Sequence, residues 1–549
     1  MNHAMGAAPA QANRSFAVGG DRQITISRLD YLLSDFALLP EGSDEWLESE
    51  NLAAFLSLGE GRQIAQLGFV APRQFEAIRF RVGVDAETNA ADPHQYPPGH
   101  ALNPLVNDLH WGWAGGYIFL AVEGQDTGDA FSYHLANDGN APLITIPVKF
   151  DTSRDCAIHL HFDIAELLGQ IDPRRDGNAS HSRECDPIPP KIQTGLRRAI
   201  RFESLRNDRY QTISAPISER VATSPTTGTP FPLQITDRFP KVAITADNHP
   251  TLEGVELGRR LFSDKRLSKG NVQSCASCHD SDYAFADPGK RVSLGADQIA
   301  GRRNAQPLFN LAWHDGFFWD GRAKTLREQV LMPITDPAEM NADLDEVIAK
   351  LAADQSLREQ FGQAFGDPEP NRENLARALE QFLLTLVSQD SKFDRAARKE
   401  VEFTEEEKRG LELFVTEHDP ARNLFGADCF HCHGGNLFTS RRYSNNGLDI
   451  DYTDLGRFEV SADPADRGKF KVPSLRNVEL TAPYMHDGRF ATLEEVIDHY
   501  DHGVQRSPNL DPNLAKHPSA GLGLSEADKR ALVAFLRTLT DRRFSKEDA

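Results

Sequence analysis

Two short stretches concentrate the chemistry of this chain, Cys275-Ala-Ser-Cys278-His279 and Cys429-Phe-His-Cys432-His433. A pair of thiols separated by two residues, with an imidazole directly after, suits covalent attachment of a haem: two thioethers hold the ring and the His ligates the iron. One copy alone would equally serve as a zinc or thiol redox motif, but two copies in matching contexts favour c-type haem. Cys156 and Cys185 are the other two of the six cysteines. In an exported protein they would pair as a disulfide. Two free thiols are the alternative, since spacing does not set the Cα separation a bridge needs.

An internal repeat positions both motifs. NLAWHDGFFWDGRAKTLREQV, from Asn310, matches NVELTAPYMHDGRFATLEEVI, from Asn477, at a constant offset of 167 (477 − 310). GRRLF (258 to 262) and GLELF (410 to 414) precede the two motifs in the same way. Amphipathic stripes such as Leu375, Leu379, Phe382, Leu383 and Leu386, and the Ser525-capped stripe of Leu532, Phe535, Leu536 and Leu539, predict packing helices. Two consecutive all-α cytochrome c-type domains are therefore expected, over 246–400 and 401–549.

The preceding part has a different character. Alternation in AIRFRVGVD, LITIPVKF and CAIHLHF, broken by Gly, Pro, Asn and Asp clusters, predicts an antiparallel all-β domain over 23–170. Residues 1–22 read as a disordered leader or tag. Residues 171–245, rich in Pro, Ser, Thr and Arg, read as a connector with a short helix near Gly195 to Ser204. A chain of 549 residues with net charge −21 and 40% apolar content is a multidomain globular protein and a poor nucleic-acid binder. It has no apolar run long enough to span a bilayer. Haem attachment of this kind predicts a periplasmic protein whose signal peptide lies outside these residues.

Over about residues 245 to 545 the sequence resembles the di-haem cytochrome c peroxidase/MauG family, through both CxxCH motifs, FFWDGRAKTLREQ, DPAEM and KVPSLRNVELTAPYMHDG. The resemblance implies that His279 is the proximal ligand of a peroxide-reacting haem. Glu339 becomes its distal acid/base, with Gln329 and Pro333 in the same pocket, and Trp319 the indole between the haems. His433 becomes the proximal ligand of the second haem. Interhaem calcium falls on the Asn304 side chain and the carbonyls of Thr481 and Pro483, oxygen donors suited to a hard cation. Two departures select the branch. Typical peroxidases carry an iron-capping His some twenty residues after the first motif, but no His lies between Asp280 and Arg303. Tyr500 stands where they carry a ligating Met, as in MauG-like proteins, and an anionic oxygen donor favours high-valent iron. Met485 is the fallback ligand, and Ala427 stands near the position of a surface Trp in MauG.

The segments ITISRLDYLLSDFAL, FEAIRFRVGVD, HWGWAGGYIFLAVEG and FSYHLAN resemble the MbnP family of periplasmic copper-binding proteins. In that family an MbnH-type, MauG-like enzyme converts a tryptophan to kynurenine, which joins histidines in binding copper. The resemblance makes Trp111 or Trp113 the modified residue, and His110, His134, His159 and His161 the copper candidates. His159 and His161 share a strand face, although a solvated face is the plain alternative. Enzyme and substrate then share one chain at high effective concentration, as a monomer or across a homodimer. The reading is a peroxidase that uses hydrogen peroxide, through a bis-Fe(IV) state, to oxidise its own β-domain Trp. Its rival reduces peroxide to water with electrons from a small redox protein. A third reading, copper binding with haems that only transfer electrons, leaves Glu339 without a task.

Overall fold

The computed structural model describes residues 1–18, 21–49, 52–111, 116–182, 185–206, 228–242, 244 and 247–546. The chain divides into two compact units, Met1–Ser218 with Pro512–His517, and Glu219–Asp511 with Pro518–Ala549.

The first unit is built on a sheet whose neighbours run Leu143–Asp151, Gln74–Val82, Gln23–Pro40, Ile118–Asp126, Asp129–Ala136 and Ala179–Ser180. All these pairs are antiparallel except the last, in which Ala179–Ser180 runs parallel to Asp129–Ala136. One face buries Tyr31, Phe80, Val122, Tyr133 and Leu135. The helix Ile188–Ala199 adds Ile192 and Leu196 to that core. A second sheet pairs Ile200–Arg206, Ala157–Asp163, Asn2–Met5 and Ala8–Pro9.

Three expectations are corrected here. Residues 1–22 are not a loose leader: Asn2–Met5 pairs in parallel with His161–Asp163, burying His3, Ala4 and Met5, and Ser15–Ala17 pairs with Gln23–Thr25. A four-residue strand has too little pattern to be recognised without its distant partner. The stretch 171–245 is not merely a connector, since its helix begins at Ile188 and ends at Ala199, and Ile200–Arg206 is a strand. The sheets are mixed rather than purely antiparallel, because both parallel partners return from distant parts of the chain.

The second unit is helical, and the repeat is visible in its backbone. Asn310 (φ 53°) and Asn477 (φ 57°) open matching 3-10 turns, Leu311–Trp313 and Val478–Leu480. Isolated bridges Phe317–Ala323 and Tyr484–Phe490 sit at the same offset. Both copies then start a helix with a capping box, Thr325 with Glu328 and Thr492 with Glu495, each of which satisfies two orphan N–H groups. The helices before the two CxxCH motifs, Leu252–Phe262 and Glu405–Val415, pack tightly against Arg372–Leu384 and Glu526–Arg537. A Cβ at Gly258 would collide with the Ala378 carbonyl, and one at Gly410 with that of Ala531, so each crossing requires its glycine. No helix among the described residues is long and apolar enough to cross a membrane.

Candidate haem and copper sites

Cys275–Ser277 forms a 3-10 turn begun by a reciprocal Ser274/Ser277 cap. Nδ1–H of His279 donates to the Phe285 carbonyl at 2.8 Å. That bond fixes the tautomer and leaves Nε2 with its lone pair for a metal. Burial also lowers the His279 pKa. Cys275 and Cys429 are pushed up to about 12 by burial, and Cys278 is raised for the same reason.

A cavity of about 360 Å³ opens beside this turn and is lined by Cys275, Cys278, His279, Gln329, Pro333 and Glu339 together with apolar side chains. The residues read from the resemblance as the first haem's surroundings are thus brought together. Gln329 closes the one-turn helix Leu326–Gln329, and Pro333 lies in Met332–Thr335. The turn carrying Glu339 is tied down by Glu339 N–H to Asp336 O at 3.0 Å and Ala296 N–H to Glu339 O at 2.6 Å. Burial, with a smaller contribution from Asp336, raises the Glu339 carboxyl to about 6. That value lets it hold and release a proton near neutrality.

Trp319 lines the same cavity and is 9% exposed. Its Nε1–H donates to the Asn304 carbonyl at 2.9 Å, and its own carbonyl accepts from Lys471 N–H at 2.7 Å. The Asn304 side-chain NH2 donates to the Lys290 and Arg291 carbonyls at 3.2 Å each. Thr481 and Pro483 flank Ala482, whose carbonyl accepts from Gly289 N–H at 3.2 Å. Sequence reasoning passed over His314 and Lys471, which also line the cavity. The Lys471 Nζ donates to His314 Nδ1 at 2.6 Å, and burial lowers this lysine to about 7.

The second motif repeats the arrangement. His433 Nδ1–H donates to the Phe438 carbonyl at 3.3 Å, and burial lowers its pKa to about 4. Phe438 packs against Arg476, which is fully buried and makes two 2.8 Å bonds to Asp394. Here the capped helix Leu493–Asp498 runs on into a π-turn, His499–Gly503, that carries Tyr500. Burial raises the Tyr500 pKa well above the ordinary phenol range. The Asn446 side-chain nitrogen lies 3.4 Å from both the Tyr500 hydroxyl and Met485 Sδ, so expected ligand and fallback share one polar neighbour. In the repeat, Tyr500 corresponds to Pro333 (500 − 333 = 167). One copy places a phenol where the other places a side chain with no donor atom. Ala427 is buried.

In the first unit the histidine candidates separate. His134 Nδ1 lies 3.0 Å from Nε2 of His181, and His134 Nε2 lies 2.9 Å from Glu123. The Trp111 ring is 5.9 Å from that of His181. His181 was missed because it sits in an unremarkable Ala-Ser-His-Ser stretch. The parallel register Ser180↔Tyr133 is what sets it beside His134. His110 instead packs edge-on against Tyr117 at 4.7 Å. His159 and His161 lie on Ala157–Asp163 in the other sheet, so their shared face is not that of the His134 cluster. Trp113 lies outside the described residues. Cys156 and Cys185 are free thiols, contrary to the expected bridge. Cys156 leads into Ala157–Asp163, whereas Cys185 occupies a positive-φ turn before Ile188, and a cysteine count carries no information on that separation.

A family model described as di-haem cytochrome c peroxidase matches residues 252–402, and one described as MbnP matches residues 1–185. The methylamine utilization protein MauG of Methylorubrum extorquens is 39% identical over 296 residues, 53% of this chain and 79% of that protein. Cytochrome c551 peroxidase of Nitrosomonas europaea is 37% identical over 308 residues, 55% of this chain and 83% of that protein. The crystal structure of a MauG-like protein associated with microbial copper homeostasis is similar at 36% identity and TM-score 0.51, covering 58% of this chain and 98% of that one.

Proposed function

The chain belongs to the di-haem cytochrome c peroxidase/MauG family and carries an MbnP domain at its N-terminus, and from that premise we propose that it uses hydrogen peroxide to oxidise a tryptophan of its own MbnP domain. The product is kynurenine, and the modified side chain completes a copper site. One observation carries this reading: an oxidisable indole, Trp111, stands 5.9 Å from His181 within a two-imidazole cluster.

Cys275, Cys278 and His279 would hold one haem, and Cys429, Cys432 and His433 the other, with Tyr500 as the second haem's further ligand. When bound, the haems supply iron that accepts oxidising equivalents from peroxide. Glu339 takes a proton from the incoming peroxide and returns it to the departing oxygen, which leaves as water. Gln329 offers its amide to the peroxide, and Pro333 keeps the face open because it has no donor atom. Trp319 conducts holes between the two pockets, its indole proton retained by the Asn304 carbonyl. Calcium at Asn304, Thr481 and Pro483 would stiffen that same asparagine. Two peroxides supply the oxygen atoms that cleave the indole ring to N-formylkynurenine, with two waters released. Hydrolysis then yields kynurenine and formate. The chemistry of haem attachment supports a periplasmic setting.

The shared approach of Met485 and Tyr500 to Asn446 sustains the respiratory alternative, in which the second haem accepts electrons from a small redox protein and peroxide goes to water. Peptide mass spectrometry of the haem-loaded chain before and after peroxide separates the two. Self-modification gives kynurenine in the Trp111–Trp113 peptide, abolished by Trp319→Phe or slowed by about tenfold or more. Unmodified peptides, with peroxide consumed only when an electron donor is supplied, select the alternative.

A further inference from the structure

The copper ligands of the proposed site are held by a partner that the sequence did not single out. Glu123 lies on Ile118–Asp126, where Ala121 pairs with His134 and Glu123 with Ser132. Glu123 and His134 are therefore diagonal neighbours on one sheet face. Arg28 pairs with Glu123 from the other side, on Gln23–Pro40, and shares that face. The side chains meet accordingly: Arg28 Nη1–H donates to Glu123 Oε1 at 3.0 Å, and the same oxygen lies 2.9 Å from His134 Nε2. Glu123 is 5% exposed and His134 2%.

The Glu123 oxygen that accepts from Arg28 also accepts from His134, which places the His134 proton on Nε2. The lone pair then sits on Nδ1, the atom 3.0 Å from His181 Nε2. Arg28 is itself held beside Glu123 by a 2.7 Å bond to Asp30 and a 3.3 Å bond to the Asp108 carbonyl. Burial works against the Arg28 charge, but Glu123, Asp30 and Asp108 outweigh it and raise its pKa. Ser132 Oγ, 3.4 Å from His134 Nε2, is a longer and weaker partner.

We propose that Glu123, anchored by Arg28, is a positioning residue that fixes the His134 tautomer and ring orientation for copper binding by His134 and His181. This rests on the copper reading above. A carboxylate behind a ligating imidazole raises ligand basicity and orients the ring, and its loss costs about 10- to 100-fold in metal affinity.

The test uses the full haem-loaded, peroxide-treated chain, with Cu(I) as the probe in competition with a chromophoric chelator. Glu123→Gln weakens Cu(I) binding by about 10- to 100-fold with the melting profile retained. In ¹⁵N-His spectra of the copper-free chain, His134 shifts from the single Nε2–H tautomer to a mixture. An unchanged affinity, or an unchanged tautomer, overturns the proposal. If Glu123→Gln does not fold, Glu123→Asp, which keeps the charge and shortens the reach, carries the same prediction at smaller size. His134→Ala and His181→Ala report separately on the copper site: affinity undiminished in both removes the site itself, whereas affinity lost in both but intact in the Glu123 variants removes only the role of Glu123.

Discussion

The two haem-motif pockets of the second unit begin alike and end differently. Each has a CxxCH turn, a His held by a carbonyl through Nδ1, an αL asparagine and a capped helix. After the cap they part. The first helix stops after one turn, and Pro333 and Glu339 face an open cavity. The second runs into a π-turn that places Tyr500 in the position of Pro333. On the proposed reading, one backbone serves two iron chemistries through the residues beyond its capping box: an acid/base residue beside a cavity, or a phenol. Their anchoring differs too. Arg476 with Asp394 braces Phe438 behind His433, while the repeat places Phe309 where Arg476 stands (476 − 309 = 167).

Removing the acid/base group is the most severe way to erase the contrast. Glu339→Gln should slow the reaction with peroxide by about 10²- to 10⁴-fold while both haems remain attached, as read by stopped-flow spectroscopy. Next in size is the anchor that belongs to one copy alone. Arg476→Leu leaves the Asp394 charge buried without its partner and costs about 3–5 kcal/mol, measurable as a lowered unfolding midpoint of the haem-loaded chain. The equivalent substitution Phe309→Leu exchanges one apolar side chain for another and costs about 1 kcal/mol.

The pH dependence sharpens the comparison further. With the Glu339 carboxyl at about 6, its basic form is depleted as pH falls through that value, so the peroxide rate drops about tenfold per pH unit below 6. Above it the rate is level. Glu339→Gln flattens this limb, and a limb that persists in the variant assigns the titration to another group. The gentlest intervention is at Tyr500. Tyr500→Met replaces a hard oxygen donor with a thioether, which raises the second haem's reduction potential and shortens the lifetime of the peroxide-oxidised state. Potentiometric titration and the decay of the oxidised spectrum check both, and an unchanged potential would show that Tyr500 is not the ligand.

How far each feature could be read from the sequence depends on how local its cause is. The CxxCH turns, the Ser525 cap and the amphipathic stripes are set by residues a few positions apart, so motif and spacing disclosed them. The distal set was legible only through resemblance, because Gln329, Pro333 and Glu339 look like ordinary helix-end residues. Asn2–Met5 was misread as a leader since its strand partner, His161–Asp163, is far along the chain. The Cys156–Cys185 bridge was inferred from compartment and count, but the two are free thiols.

The copper candidates show the division most plainly. Sequence alone determined that this chain carries two haem-attachment motifs, a duplicated helical scaffold and a β-rich unit containing tryptophans and histidines, because composition, periodicity and short-range spacing are written along the chain. Only the tertiary structure decided which histidines meet. A parallel pairing of Ala179–Ser180 with Asp129–Ala136 brings His181 to His134, and a strand register brings Glu123 and Arg28 beneath them. Pairings between residues so far apart depend on which hydrophobic faces bury one another, and that is a property of the folded chain as a whole.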